Sequence, residues 1–273
     1  MPEKINLLFI GDLVGEPGLA ILEKELPHLI SKFQANLVVV NAENADQGKG
    51  LNDDIASRIF ALGTDIITTG NHIWDNWKSR PLLNNNDKIL RPVNYPPGNP
   101  GRGFKIFEGK SGTILSVVQI QGRGFMQTID CPFRGVDNAL KVISNQANVI
   151  IVDFHAETTA EKIAMGWHLD GRVSAIIGTH THIQTADASI LPKGSAYITD
   201  VGMTGPYDSV VGMKKEIALK RMILQTAHKY ELATDDVKLC GTFVQIDAES
   251  GQAIRIEPIV IPKFITNVYE ELI

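Results

Sequence analysis

The chain has 273 residues, of which 44% are hydrophobic and 21% are charged, a composition typical of a folded globular protein. This length accommodates one large α/β domain or two small ones. The formal net charge of −5 argues against the basic face that broad nucleic-acid binding requires, but it is compatible with a single nucleotide in a pocket.

The N-terminus and the cysteines indicate the cellular compartment. The chain enters its first apolar run without a basic leader region, and no apolar run approaches the length needed to cross a membrane. Cys131 and Cys240 belong to no CxxC pattern and cannot form a disulfide framework. We therefore expect a cytoplasmic protein with no membrane partner.

The first 80 residues alternate between predicted strands and predicted helices. The apolar runs that predict buried strands are 5–10, 37–41 and 64–69. Helices are predicted after the turn at 15–18, over 53–62 and over 73–80. This alternation predicts parallel βαβ units in an α/β fold, in which the carboxyl ends of the strands face one ligand-binding crevice.

The remainder of the chain continues this pattern. Strands are predicted over 113–120, 149–153, 173–177, 196–200 and, as two or three closing strands, 237–262. Helices are predicted over 133–145, after 158 and over 214–229, and loops over 84–87, 95–103 and 201–212. Thr158 and Glu161 have the spacing of a capping box, and the helix after them is expected to have one face containing Ala160, Ile163, Ala164 and Trp167. No linker or repeat interrupts the chain, so we expect residues 1–273 to form a single domain.

Side chains of the types that bind metals follow five of these strands. They are Asp12; Glu43 and Asn44; Asn71 and His72; Asp153 and His155; and His180 and His182. Because the carboxyl ends of neighbouring parallel strands meet at one edge of a sheet, we expect a metal site there. His180 and His182 are two residues apart, so an extended backbone would direct both imidazoles into the same space.

The donor set indicates which metals would fit. Carboxylate, amide oxygen and imidazole together suit Mn²⁺, Fe²⁺ or Zn²⁺ rather than Ca²⁺ or a structural Cys₄ zinc. The ligands are too many for one tetrahedral ion, so we expect two ions that share a carboxylate, roughly 3.5–4 Å apart as in other two-metal sites. Such a pair generates a metal-bound hydroxide that attacks phosphorus in line. The leaving oxygen then needs a proton, and His72 is the candidate general acid.

Six short motifs, taken as a set, resemble one known family. They are GDLVG at 11–15, NAEN at 41–44, GNHIWD at 70–75, DFHAE at 153–157, GTHTH at 178–182 and TDVGMTGP at 199–206. The set is similar to the YmdB-like phosphodiesterases, a branch of the calcineurin-like metallophosphoesterases. The motifs run from residue 11 to 206, so the resemblance covers most of the chain.

This resemblance implies an αββα sandwich of four layers, with a metal site at the carboxyl ends of the strands. The implied ligands are Asp12, Glu43, Asn44 and His182 for one ion, and Glu43, Asn71, His155 and His180 for the other. The implied metals are iron or manganese, ahead of zinc or magnesium. The implied substrates include cyclic nucleotides, notably 2′,3′-cyclic nucleotide monophosphates.

The chain departs from the broader superfamily at two positions. Val14 stands where the usual Asp-x-His pair has its histidine. The segment 41–44 replaces the usual Gly-Asp motif, so that Glu43 becomes the expected bridging carboxylate. The loss of one imidazole at the first metal argues against simple zinc hydrolase chemistry.

Three functions are compatible with the sequence. The leading hypothesis is a dinuclear phosphodiesterase that acts on a small phosphodiester or nucleotide, and we expect it to form a homo-oligomer. A phosphomonoesterase, such as a nucleotidase or a protein phosphatase, would use the same metal chemistry, and a pocket with room for a second ester substituent would favour the diesterase. A regulatory protein could instead bind metal and nucleotide without turnover. His72, a non-ligand placed to donate a proton, favours the enzyme.

Overall fold

A computed structural model describes residues 3–264 of the chain. Its strands are β1 (Lys4–Ile10), β2 (Asp12–Leu13), β3 (Leu37–Asn41), β4 (Ile66–Thr68), β5 (Phe104–Glu108), β6 (Ile114–Gln121), β7 (Val149–His155), β8 (Ala175–Thr179), β9 (Ser189–Ile190), β10 (Ala196–Ile198), β11 (Met203–Pro206), β12 (Val237–Asp247) and β13 (Ala253–Ile261). Its α-helices are α1 (Gly15–Phe33), α2 (Asp53–Ala61), α3 (Ser79–Asn85), α4 (Pro132–Ile143), α5 (Thr159–Leu169) and α6 (Lys215–Leu224), and a 3₁₀ turn spans Asn71–Trp74.

Local sequence explains where several of these elements begin. The central strands are runs of Val, Ile and Leu, which are favoured in sheets buried on both faces. Helix α2 begins after Asn52, whose side-chain oxygen accepts a hydrogen bond from the backbone of Ile55 at 3.0 Å. Helix α4 begins with Pro132. Proline is tolerated at the first position of a helix because an N–H there would have no partner within the helix.

The strands form two mixed sheets. The first has the order β2-β11-β12-β1-β3-β4, with β13 also paired to β12, and the second has the order β5-β6-β7-β8-β10-β9. Strands β1, β3 and β4 are parallel to one another, as are β6, β7, β8 and β10. Each sheet therefore has a parallel centre whose carboxyl ends lie at one edge.

Alternate residues of the central strands face two different cores. In β1, Leu7 and Phe9 pack between the two sheets, against residues such as Ile151 of β7. Leu8 faces the opposite way and packs against α1. On the outer face of the second sheet, a third cluster joins Val152 to α4 and α5. The layers are therefore helix, sheet, sheet and helix, which confirms the αββα sandwich.

Three loops or helices differ from the sequence prediction. The helix predicted over 73–80 is instead a 3₁₀ turn followed by α3, and α3 extends through Asn84 and Asn85 of a predicted loop. The glycine-rich segment 201–212 contains strand β11, which pairs with β12. Pairing with a distant strand supplies the hydrogen bonds that the local composition does not predict.

The capping box predicted for α5 is wrong. The Thr158 side chain makes no capping hydrogen bond. The Glu161 carboxylate instead accepts hydrogen bonds from the backbone N–H groups of Arg123 and Gly124, at 3.0 and 3.1 Å. A contact with a distant loop thus replaces the local one.

The expected apolar face of α5 is also wrong. Ile163 and Trp167 are 44% and 56% exposed, whereas Lys162, Met165 and Leu169 are buried. Lys162 is inside because a buried carboxylate, Asp200, lies 2.6 Å from its Nζ atom. Hydrophobicity alone selects the wrong face, because the partner that permits a buried lysine comes from elsewhere in the fold.

Within residues 3–264, no helix combines the length and the apolar composition needed to cross a bilayer.

The core between the sheets yields a stability prediction. Phe9 has no exposed surface, so Phe9→Ala leaves a cavity and should lower the free energy of unfolding by about 3–5 kcal/mol. Urea denaturation would measure this change. The control is Phe125→Ala at a residue that is 95% exposed, where a change within about 0.5 kcal/mol is expected. Equal losses in the two variants would contradict the assignment of the core.

Candidate metal centre

The structure brings all eight predicted site residues to one edge of the sandwich. Six of them follow strands β3, β4 and β8, whereas Asp12 is the first residue of β2 and His155 is the last residue of β7. The set is Asp12, Glu43, Asn44, Asn71, His72, His155, His180 and His182. Two groups among them place their candidate ligand atoms within 4.8 Å of one another, and the groups share Glu43.

The first group surrounds the Nε2 atom of His155. This nitrogen lies 3.0 Å from Glu43 Oε1, 3.1 Å from Asn71 Oδ1 and 3.0 Å from His180 Nδ1. Glu43 and His155 have no exposed side-chain surface. Two oxygens and two imidazole nitrogens therefore converge on one small buried space.

The second group contains Asp12, Glu43 and His182. Asp12 Oδ2 accepts a hydrogen bond from the backbone N–H of His180, but Asp12 Oδ1 is buried and has no hydrogen-bond partner within residues 3–264. The amide nitrogen of Asn44 lies 3.2 Å from His182 Nε2 and donates to Glu43 Oε1 at 3.0 Å. Rotation of this amide by half a turn would bring its oxygen to the same place.

A hydrogen-bond chain behind His155 fixes which of its nitrogens is free. The Thr179 hydroxyl donates its one proton to Asp153 Oδ1 at 2.7 Å. It must therefore accept from His155 Nδ1, which lies 2.9 Å away. In neutral His155 the lone pair is thus on Nε2, the atom that faces Glu43 and Asn71. Asp153 orients this imidazole and does not itself enter the ligand groups.

The other two histidines are oriented in the same way. His182 Nδ1 donates to the carbonyl oxygen of Val211 at 3.1 Å, so its Nε2 lone pair faces Asn44. The Nε2 atom of His180 lies 3.1 Å from a carboxylate oxygen of Glu157, so its Nδ1 lone pair faces His155. In its neutral form, each imidazole therefore presents one unprotonated nitrogen to the cluster.

Burial perturbs the pKa values of the cluster. Burial raises the pKa of Asp12 well above its usual range, against the opposing charge of His155. Burial alone would raise the pKa of Glu43, but the charge and hydrogen bond of His155 outweigh it and hold this pKa below its usual range. Burial alone would lower the pKa of His155, yet Glu43 and Asp12 raise it to about 9. Two buried carboxylates therefore require a positive charge beside them.

These observations fit bound divalent cations. The cluster contains an unpaired buried carboxylate oxygen on Asp12 and lone pairs from three oriented imidazoles. Within residues 3–264, no lysine or arginine forms an ion pair with Asp12 or Glu43. Oxygen and imidazole donors in this proportion suit transition metals, whose charge would offset the buried carboxylates.

Gly70 shows how tightly the cluster is built. A Cβ atom at this position would lie 2.3 Å from Glu43 Oε2 and 2.4 Å from His155 Nε2. The backbone of this loop therefore passes against the ligand atoms, which only glycine permits. The same Glu43 oxygen accepts a hydrogen bond from the backbone N–H of His72 at 3.2 Å.

The segment 180–182 does not have the extended backbone that the sequence argument assumed. Strand β8 ends at Thr179, and His180 and His182 have φ angles of 101° and 65°, in the left-handed region. Their side chains converge through a strained turn, not through the alternation of a strand. Asp200 supports this turn, because its Oδ2 atom accepts from the N–H and the hydroxyl of Thr181 at 3.0 and 2.8 Å.

His72 lies beside the cluster and outside both ligand groups. Its Nδ1 atom lies 2.9 Å from Asp75 Oδ2, so it donates to that carboxylate. Burial alone would raise the pKa of Asp75, but hydrogen bonds from His72 and Lys49 outweigh it and lower this pKa. The Asp75 carboxylate is therefore ionised, and it fixes the orientation of the His72 ring by accepting the hydrogen bond from Nδ1.

Sequence reasoning missed three contributors to the cluster. Glu157 and Thr179 orient histidines, and each lies within a motif that suggested the family without suggesting this role. Lys162 was missed because nothing in its sequence neighbourhood distinguishes it from a surface lysine. Its role follows from Asp200, which is distant in sequence.

The ion pair of Lys162 and Asp200 yields a second prediction. Lys162→Met would leave the Asp200 carboxylate buried without its cation, and it should lower the free energy of unfolding by about 3–5 kcal/mol. The double variant with Asp200→Asn should recover part of this loss, because it removes the unpaired charge. Urea denaturation of the two variants would measure both. An equal loss in the single and double variants would contradict this account.

Comparison with known proteins agrees with this architecture. The family model of the YmdB-like protein matches residues 8–259. The 2′,3′-cyclic-nucleotide 2′-phosphodiesterase of Bacillus subtilis (strain 168) is 42% identical over 257 residues, covering 94% of this chain and 97% of that protein. A crystal structure of a novel phosphatase from Mycoplasma pneumoniae is 35% identical with a TM-score of 0.90, and the match covers 100% of both chains. A hypothetical protein from Thermus thermophilus is 41% identical with a TM-score of 0.88, covering 94% of this chain and 98% of that one. This chain therefore belongs to the YmdB-like family.

Proposed function

We propose that this protein is a metal-dependent phosphodiesterase that hydrolyses small phosphodiesters, with 2′,3′-cyclic nucleotides as the substrate class. The observation that carries the proposal is the convergence of two groups of candidate ligands on Glu43, beside a pocket of about 490 Å³. The relative from Bacillus subtilis is named for this reaction, which supports the same substrate class here.

The proposed centre holds two divalent ions that share Glu43. The ligands for one ion would be Asp12, Glu43, Asn44 and His182, and for the other Glu43, Asn71, His155 and His180. As the family resemblance implies, iron or manganese is proposed ahead of zinc or magnesium for this mixture of carboxylate, amide and imidazole donors. When bound, such a pair supplies positive charge to the phosphoryl oxygens and acidifies water for attack on phosphorus.

His72 is proposed as the proton donor to the leaving oxygen. Its side chain lines the pocket beside the ligand groups, and Asp75 accepts a hydrogen bond from Nδ1–H. The Nε2 proton of the imidazolium is then the one available for transfer. In the balanced reaction a water oxygen bonds to phosphorus, one ester P–O bond breaks, and the released oxygen takes the His72 proton. The water proton goes to solvent, from which His72 is reprotonated.

The pocket has a volume of about 490 Å³, and beyond the candidate ligands its lining includes Gly48, Val211 and Tyr230. This volume is in the range of small-molecule sites. It does not separate a cyclic diester from a monoester, because both ester oxygens of a 2′,3′-cyclic nucleotide belong to the same ribose. The name of the Bacillus subtilis relative supports the diesterase.

Metal reconstitution tests this proposal directly. The metal-free protein reconstituted with Mn²⁺ or Fe²⁺ should hydrolyse 2′,3′-cyclic AMP faster than a phosphomonoester, and chelation should abolish the activity. Glu43→Gln should lower kcat/KM by more than about 100-fold, because even groups that only orient a ligand contribute 10–100-fold. The matched control is Glu108→Gln on an exposed strand residue, where no change is expected.

Three other outcomes would contradict the proposal. Faster cleavage of the monoester would identify a phosphomonoesterase. Two bound ions per chain with no turnover of either ester would favour a regulatory binding protein. Activity that survives chelation would exclude the metal mechanism.

A variant at His72 tests the proton donor. His72→Ala should lower kcat for 2′,3′-cyclic AMP by about 10²–10⁴-fold without changing metal content, since that is the usual contribution of a general acid. The loss should be much smaller for bis(p-nitrophenyl) phosphate, because p-nitrophenolate leaves without a proton. His28→Ala, on the exposed side of α1, is the control. Unchanged turnover of saturating 2′,3′-cyclic AMP would refute the role of His72.

Three expectations from the sequence stay predictions. They are the homo-oligomeric assembly, the cytoplasmic location and the organisation of residues 1–273 as a single domain. Sedimentation velocity would measure the first, and cell fractionation the second. Limited proteolysis would test the third.

A further inference from the structure

The lining of the pocket beside the metal groups has two chemically different parts. One part contains Glu43 and His182 of the ligand groups, together with His72. The other part consists of Val211, Met213, Arg221 and Tyr230, and we call these four residues the distal wall. None of the four belongs to either ligand group, so the proposed reaction does not account for them.

The distal wall comes from one connection, residues 207–236, between β11 and β12. Short backbone pairings fold it upon itself, with Met213 bridged to both Val210 and Leu232. The connection is fixed to the cluster, because the Val211 carbonyl accepts the Nδ1 proton of His182 at 3.1 Å. The distal wall therefore has a defined position relative to the candidate ligands.

Tyr230 is held in place by contact with a glycine. A Cβ atom at Gly48 would lie 2.8 Å from the Tyr230 hydroxyl oxygen and 2.9 Å from its ring, and Gly48 has a φ of +86°. The N–H of Gly48 donates to the carbonyl of Asn44, which places this contact next to the cluster. Tyr230 is half-buried, and its hydroxyl has no hydrogen-bond partner within residues 3–264.

Arg221 adds a positive charge to the distal wall. Within residues 3–264, its polar contact is a weak hydrogen bond from Nη1 to the sulfur of Met213 at 3.8 Å. It forms no ion pair with any residue within the described range 3–264. By contrast, Lys49 also lines the pocket but is paired with Asp75 at 3.2 Å. The guanidinium of Arg221 is therefore available to a ligand.

We propose that the distal wall binds the nucleobase of the substrate, with Tyr230 and Arg221 as specificity-determining residues. This inference rests on the proposed function, which places the phosphodiester at the metal groups. The base then extends into the rest of the pocket. An aromatic ring beside apolar side chains stacks on a base, and a free hydroxyl and a guanidinium donate hydrogen bonds to its acceptors.

A nucleobase fits the distal wall better than a second phosphate does. A phosphate site would be built from several cations or backbone N–H groups. The distal wall offers one cation, Arg221, among an aromatic and two apolar side chains. Flat, amphipathic surfaces of this kind recognise bases by stacking, with polar groups at the edge.

The test compares two cyclic diesters that differ in the base. One is 2′,3′-cyclic AMP and the other is glycerol 1,2-cyclic phosphate, which has the same five-membered phosphodiester ring and no base. For Tyr230→Ala, the ratio of kcat/KM for the nucleotide to that for the glycerol ester should fall about tenfold, in line with about 1–3 kcal/mol for stacking on one base. Tyr230→Phe should lower this ratio less, because it retains the aromatic ring. Arg221→Met should also lower the ratio.

The control and the contrary outcomes are equally defined. Lys220 lies on α6, as Arg221 does, but outside the pocket lining, so Lys220→Met should leave the ratio unchanged. Metal content and thermal unfolding of each variant establish that the centre is intact. An unchanged ratio in both Tyr230→Ala and Arg221→Met would overturn the inference.

Calorimetric titration separates this inference from the proposed function. If the wild-type protein hydrolyses neither diester, the proposed function fails. Binding of 2′,3′-cyclic AMP to the metal-loaded protein then decides the role of the distal wall. Weaker binding to Tyr230→Ala than to wild type would support the nucleobase site, and equal binding would overturn it.

Discussion

The buried carboxylate of Glu43 is the constraint on which the site depends. It has no exposed surface, so its charge is retained only because hydrogen-bond donors and imidazoles surround it. His72 and Asn44 donate to its two oxygens, and His155 lies 3.0 Å from it. These partners lie at the ends of three different strands, β3, β4 and β7, so the carboxylate joins the ends of both sheets. Gly70 must lack a side chain because a Cβ atom there would lie 2.3 Å from Glu43 Oε2.

Orientation of the imidazoles is the second requirement, and the surrounding fold supplies it. The Thr179 hydroxyl, the Glu157 carboxylate and the Val211 carbonyl each accept a hydrogen bond from one histidine. The opposite nitrogen of each ring is then free and faces the cluster. A metal-binding imidazole needs this arrangement, because only the unprotonated nitrogen can donate its lone pair. These hydrogen bonds therefore fix which nitrogen of each ring faces the cluster, and His155, whose pKa is raised to about 9, would release one proton when a metal binds.

A second buried carboxylate, Asp200, supports the candidate ligands without belonging to either ligand group. Asp200 holds the turn that contains both His180 and His182, and it is neutralised by the buried Lys162. The two histidines have left-handed backbone conformations, which cost energy in isolation and persist because surrounding contacts fix them. The connection 207–236 serves both parts of the pocket lining, since it orients His182 and also presents Tyr230. The proposed metal site and the proposed nucleobase site are thus linked through one segment of the chain.

The sequence by itself determined the class of fold, the family and the residues that meet at the site. Strand periodicity and the polar residues after each strand are local signals, and parallel strands bring such residues together whatever the loops do. Only the tertiary structure decided how they meet. The turn at His180 and His182, the buried face of α5 with Lys162, and the binding of Glu161 to a distant loop all depend on partners far away in sequence. Local propensity contains no information about such partners, because a buried charge or a strained backbone is stable only where the rest of the fold compensates for it.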